Sequence, residues 1–469
     1  MYKRIHYLLL PIPVAVTLLI FFSTAYGQQK QLEKQGLALV AAASKGDLAA
    51  IKAQLTARAD INFRDNEGRT PLMHAVVGGH LDAVKVLLAG GADPNLKSNA
   101  GVTILAEAIT LKTVDVLKAL LAAGVDVAAT NSYTRKLTKI EFGMFRYMPF
   151  YQGLILGDRS EEKMELDGNW YTALMYAAYL GNIEAVKLLI AAGANINLSD
   201  NFGVTPLMFA AHQGKSDVVS ALIKAGADIA ARDQIGYTPL LHTAMNGDEA
   251  TLKALLTAGA EIDASDRFGL TALMIVCRYT SRFTHQSKIT AVKALLAAGA
   301  NFNLKNQLDQ TALSQAALAD NHEAMKLLLA AGADINFRDR QGKTMLIDVL
   351  NRPNINLDTV KLLLNHSVDI NTVDNQGRSA LFHAAKKAHI DALKMLIAAG
   401  ADINALDNQG RTPLIQSTYN EDITIVRILL EAHADFTVKD NEGMTALAFA
   451  ERDGNAELVE MLRKAGATE

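Results

Sequence analysis

The chain has 469 residues, half of them hydrophobic, with only 6% aromatic and a single cysteine. One thiol excludes a disulfide framework within the chain. A formal net charge of −3 argues against a nucleic-acid surface, which would be strongly basic.

Residues 1–27 read as a secretory signal. Lys3 and Arg4 give a positive start, and Leu8 to Phe22 form an apolar core. That core holds Pro11 and Pro13 and is shorter than the roughly 20 residues of a membrane-spanning helix. Ala25-Tyr26-Gly27 offers small residues where a signal peptidase reads, so cleavage is expected after Gly27. The alternative is an uncleaved anchor that leaves the same domain outside the membrane. Removing two basic residues from 46 leaves 44 against 49 acidic ones, so the remainder stays acidic.

From Leu32 one unit recurs, most cleanly at Asp200–Asp228. Thr205 is placed to cap a helix, and Pro206 suits the first helical position, where no N–H partner is needed. Leu207, Met208, Ala210 and Ala211 give that helix an apolar face, and Gly214 ends it. Ser216 or Asp217 starts a second helix, with Val218, Val219, Leu222 and Ile223 at helical spacing. Gly226 ends it, and an extended turn leads to the next copy. Such a helix pair cannot bury its own apolar face and has to stack on neighbours.

Indexed by the threonine or the residue standing in its place, the copies fall at Leu37, Thr70, Thr103, Thr172, Thr205, Thr238, Thr271, Thr311, Thr344, Ser379, Thr412 and Thr445. Most steps are 33 residues. The exceptions are 69 after Thr103, 40 after Thr271 and 35 after Thr344. The first copy lacks Thr-Pro, and the last is studded with Glu457, Glu460, Arg463 and Lys464. Both read as caps with wet outer faces.

The extra length marks insertions. The largest, residues 131–166, holds Tyr133, Phe142, Phe145, Tyr147, Phe150 and Tyr151, with basic residues in its first half and acidic ones in its second. It either protrudes to touch a partner or folds back over the neighbouring repeats. The second, around Arg278 to Lys288, is short and polar-aromatic. The third, Asn351 to Asn356, reads as a longer inter-helix loop.

A 33-residue period with Thr-Pro-Leu opening the first helix resembles the ankyrin repeat. The matches are Thr70-Pro71-Leu72, Thr205-Pro206-Leu207, Thr238-Pro239-Leu240 and Thr412-Pro413-Leu414, each with Asp five residues before Thr and Gly two before. Thr103-Ile104-Leu105 lacks the proline, while Trp170 and Asp309 stand in glycine positions. The resemblance implies an all-α ankyrin-repeat solenoid of about 12 stacked helix-turn-helix units with β-hairpin-like turns and one large loop insertion. The expected organisation is a signal at 1–27, N-terminal repeats at 32–130, the insertion at 131–166 and C-terminal repeats at 167–469, forming one elongated body.

No catalytic constellation stands out. Gly214-Lys215-Ser216 resembles the tail of a phosphate-binding loop, but Phe209 replaces the required glycine. No Cys/His cluster has metal spacing, and no metal or cofactor is expected. His80 and His389 share one place in their repeats, and the resemblance implies a structural role. The recurring aspartates are turn residues, each bonding its own turn.

The resemblance also implies binding on turn tips, three and one before each index residue, and on inner-helix ends, seven and eight after it. In the middle of the chain these positions turn apolar: Phe202 and Val204, Ile235 and Tyr237, Phe268 and Leu270, then Leu308, with Trp170 and Tyr171 in the same run. Helix ends add Tyr179, His212, Met245 and Tyr279. An exposed stripe of this kind is expected to take a protein partner, with Trp170, Phe202, Tyr237 and Phe268 as hot spots and Phe145 and Tyr147 of the insertion contributing.

The sequence therefore reads as a non-catalytic protein-binding scaffold, exported to a bacterial periplasm or secreted, monomeric and without nucleic-acid ligands. No membrane partner is expected unless the signal stays uncleaved. Alternatives are an inhibitor or immunity-type protein that blocks one enzyme or toxin, or an enzyme built around residues 131–166.

Overall fold

A computed structural model describes residues 12–131, 171–278 and 285–468, with side chains from Gly27 onward except His285. The start of the expected signal, most of the 131–166 insertion, Trp170 and Tyr279 lie outside the described residues, as do Phe145 and Tyr147. The described residues form twelve helix pairs and almost no sheet. The chain divides into two compact units, Met1–Gln234 with five pairs and Ile235–Glu469 with seven. Each unit is a stack of repeats.

Local chemistry explains each pair. Thr205 accepts a hydrogen bond from the Met208 N–H at 3.3 Å, and Pro206 opens the helix Pro206–His212. Thr70, Thr103, Thr172, Thr238, Thr311, Thr344, Ser379, Thr412 and Thr445 cap their helices in the same way. Each such cap is worth about 1 kcal/mol. The second helix of this repeat, Ser216–Lys224, buries Val218, Val219 and Leu222 but leaves Ile223 only half-buried.

The first repeat differs from expectation. A single helix runs Ile12–Lys45 through Gly27. Leu37 therefore lies inside a helix and is exposed, while Leu39 and Ala43 reach the core. At the end of the second insertion a helix, His285–Ala297, begins and buries Lys288. The third is an inter-helix loop ending at Asn356, which caps the helix Leu357–Leu364.

Between repeats, the aspartate five before the index residue organises the turn. Asp200 Oδ1 accepts from the N–H groups of Phe202 and Val204, and Asp339, Asp374, Asp407 and Asp440 do the same in the second unit. The carbonyl three before the index accepts from the next turn, as in Gln234 N–H to Phe202 O at 2.9 Å. Gly203 sits there with φ +81°, where an added Cβ would come within 3.0 Å of the Asp233 Cα. The hairpin-like character survives as single antiparallel bridges such as Arg338 with Thr344.

The large insertion does not interrupt the first unit. Thr130 and Asn131 pair antiparallel with Thr172 and Tyr171, so the chain leaves and rejoins the stack at one place. Buried Asn131 accepts from the Thr103 N–H at 2.7 Å and donates to the Tyr171 carbonyl at 3.2 Å. Asn182 donates to the Ile109 carbonyl at 3.1 Å, joining the helix ends on either side.

Candidate partner-binding surfaces

The first helix of each repeat has a regular inside and outside. The residue five after the index is buried in every repeat from the second to the twelfth, as Ala75, Ala210 and Ala384 show. The residue seven after is accessible wherever it is described. In the first unit this outward lane reads Val77, Thr110, Tyr179 and His212. In the second it reads Met245, Arg278, Leu318, Asn351, Lys386, Tyr419 and Arg452. Val77 is 45% exposed and Tyr419 46%.

The turn tips are less open than the sequence implies. In the first unit Tyr171 and Val204 are buried. Tyr171 packs edge-on against Tyr176 with centroids 5.5 Å apart, and Phe202 is half-buried. In the second unit Leu270 is buried, and Tyr237 is only 1% exposed, packed edge-on against His242 at 5.5 Å. Ile235 is fully buried. Phe268 is half-buried beneath the Arg267 guanidinium, 4.9 Å from the ring centre. The expected stripe is therefore corrected: Tyr171, Val204, Ile235, Tyr237 and Leu270 are core residues of the turns. Tyr179, Phe202, His212, Met245 and Phe268 remain partly accessible.

The reason is geometric. The residue just before the index donates its N–H to the turn aspartate, and its side chain lies among neighbouring turns. Long cations at this position are largely buried too, with Arg378 and Arg411 facing the turn carboxylates Asp374 and Asp440. Lys343, Arg378 and Arg411 retain side-chain exposures of only 14, 19 and 18%. Apolar residues at that place have nothing that reaches solvent. The tip position two residues earlier is more open except at Ile235, and Leu308 is 66% exposed beside a groove of about 310 Å³ lined by Gln310, Arg340, Gln341 and Asp348. Burial pushes the Asp348 carboxyl up.

The buried polar groups form structural pairs. His383 sits 2.9 Å from Asp374, which also receives Arg378 at 2.8 Å. Burial would raise Asp374, but hydrogen bonds from Arg378 and His383 outweigh it and hold the carboxyl below its usual range. Burial lowers His383 to about 4, so at neutral pH its Nε2–H donates to a carboxylate. His74 and Asp65 make the same pair at 2.8 Å. His80 and His389 bridge to the Ser44 and Arg352 carbonyls of the preceding repeats, as their shared position implied. Among the described residues no group of three or more His, Cys, Asp or Glu could hold a metal ion, and no helix is long and apolar enough to cross a membrane.

Sequence reasoning passed over a cluster in the second unit. The Arg411 guanidinium lies 5.1 Å over the Tyr419 ring and 5.8 Å over Phe449, and Arg452 lies 4.7 Å over Phe449. The signal was the lane position itself, which places Lys386, Tyr419 and Arg452 in successive repeats.

These features define an all-α repeat protein whose repeats present an outward lane of varying chemistry. A family model for ankyrin repeats in three copies matches residues 39–131, 151–233, 231–306 and 283–374. A second, for ankyrin repeats in many copies, matches 356–397 and 381–430. The chain belongs to the ankyrin-repeat family. None of the curated proteins matches it. Ankyrin repeats generally mediate protein–protein interactions and are typically non-catalytic.

Proposed function

We propose that the chain is an exported, non-catalytic and monomeric protein-binding protein. Its partner docks on the outward lane of the first unit, at Val77, Tyr179 and His212 with Phe202 at the adjacent tip. The observation that supports this is the contrast within each first helix: the core position is buried from the second repeat to the twelfth, while the lane position two residues on is accessible and carries Val77, Tyr179 and His212 here. Burial does not require a tyrosine or valine there, and Tyr is a frequent interface anchor. Export rests on Lys3, Arg4, the apolar Leu8–Phe22 stretch and Ala25-Tyr26-Gly27.

The pairing of Asn131 with Tyr171 suggests how to test lane against insertion. Intact protein, a Val77→Glu/Tyr179→Ser variant, and a variant with residues 134–168 replaced by a short Gly-Ser turn are used side by side to recover partners from periplasmic extract. The lane variant should lose about tenfold or more in affinity for the recovered partner, the scale of losing interface anchors. The insertion variant should retain it. The opposite pattern would move the site to the insertion.

A further inference from the structure

We propose that the last three repeats carry a second binding surface that takes an acidic peptide segment. Lys386, Lys387, Arg411 and Arg452 receive its carboxylates, and Tyr419 packs its apolar side chains. The surface goes beyond the first-unit site and does not depend on it.

Three observations carry the proposal. Lys386 and Lys387, at the inner-helix end of the tenth repeat, are exposed and pair with no carboxylate among the described residues. In the next repeat the Arg411 guanidinium lies over the Tyr419 and Phe449 rings. Its Nε donates to nothing, the nearest carboxylate oxygen being Asp440 Oδ2 at 3.8 Å. With Nε buried and the side chain 18% exposed, only the terminal N–H groups of Arg411 are left for a ligand carboxylate, which a guanidinium binds through such paired N–H donors. Finally, Tyr419 remains 46% exposed although it touches Phe449 edge-on at 5.9 Å. The Asn420 side chain donates to the Lys386 carbonyl at 3.2 Å, so these helix ends are locked side by side.

Nearby carboxylates leave Lys386 and Lys387 without an ion pair among the described residues, while Arg411 and Arg452 each face one carboxylate. Asp374 is taken by Arg378 and His383, and Asp407 by the N–H groups of its own turn; Asp440 binds its turn through Oδ1 and faces Arg411 with Oδ2 at 3.8 Å. Asp453 pairs with Arg452 in the open, at 2.8 Å, where a ligand carboxylate can compete for it. Crowding shows in Lys386, whose ammonium is shifted down by partial burial and then by Arg378 and Lys387, against a smaller opposing effect of Asp407 and Asp374. The fold does not demand these charges, since the same lane in the first unit carries Val77, Thr110, Tyr179 and His212.

The test is fluorescence anisotropy with full-length protein and three labelled probes: a peptide of Glu-Glu-Leu repeats, its Gln-Gln-Leu isostere and oligothymidylate. The acidic peptide should bind at least about tenfold tighter than the isostere and weaken as salt is raised. Lys386→Glu/Lys387→Glu should abolish that preference, and Tyr419→Ala should weaken binding of the acidic peptide about tenfold. Both lysines are exposed, and unchanged circular dichroism confirms folding. Failure of the acidic peptide to bind, equal binding of the isostere, tighter binding of oligothymidylate, or an unaltered charge-reversal variant would each overturn the proposal. None of these results bears on the first-unit lane.

Discussion

Seven described residues other than glycine hold positive φ, among them Ala388 at 57° and Asp309 at 58°. Ala388 occupies the inter-helix turn where Gly214 and Gly454 stand in other repeats. A left-handed L-residue costs roughly 1–2 kcal/mol, part of which glycine returns through its freer unfolded chain. Ala388→Gly should therefore stabilise the second unit by about 0.5–1 kcal/mol, and Gly214→Ala should destabilise the first by a similar amount, both read from urea unfolding. Asp309 differs because Arg340 donates to it at 2.6 Å. Asp309→Gly should accordingly gain less than Ala388→Gly.

His383 gives the residue scale its pH dependence. Its folded value, near 4, lies below the ordinary one near 6.5. The unfolded chain takes up the proton first as pH falls. Stability from this site is thus present above about 6.5 and is lost as pH drops toward 4, by at most about 3 kcal/mol. The lowered Asp374 acts in the same direction at still lower pH. His383→Asn should lower stability at neutral pH and flatten this acid limb. Urea unfolding of both proteins at pH 7 and pH 4.5 measures the difference. A stability gap independent of pH would show that His383 is not kept neutral.

At the scale of elements, the repeat pattern made most of the fold legible. Thr-Pro-Leu, the turn aspartate and the paired glycines each carry their own local reason, so helix starts and ends could be placed from sequence. The errors came where neighbours decide. Tyr237 and Ile235 look like tip residues in one dimension, yet adjacent turns cover them. Cutting Tyr237 to alanine would open a hole rather than erase a contact. Leu37 stands where later repeats carry the capping threonine, but the helix arrives there already formed. The cationic stack at Arg411 was missed because its members lie in different repeats.

Asn131 joins repeats three and four across the longest insertion. Asn131→Ala leaves the buried Thr103 N–H without an acceptor and removes a donor from the Tyr171 carbonyl, at a cost of about 1–3 kcal/mol. Because repeat arrays open locally, the loss should concentrate in faster hydrogen exchange over Ile104–Ile109 and Ala173–Leu180. Protection unchanged there would mean that helix packing alone closes the seam.

At the scale of the whole molecule, function reduces to what the outward lane displays. The second to twelfth repeats share a buried position, and the accessible ones vary from Val77 and Tyr179 in the first unit to Lys386, Tyr419 and Arg452 in the second. Shared core positions explain the fold, while the lane residues carry the binding chemistry. The most direct measurement is site-specific photo-cross-linking in living cells, with the reactive residue placed at 77, 179 or 212, or on the outer helices at exposed Lys85 and Lys187. The account predicts a discrete protein adduct from the three lane positions and none from the outer two. Adducts from the outer helices alone, or none from the lane, would contradict it.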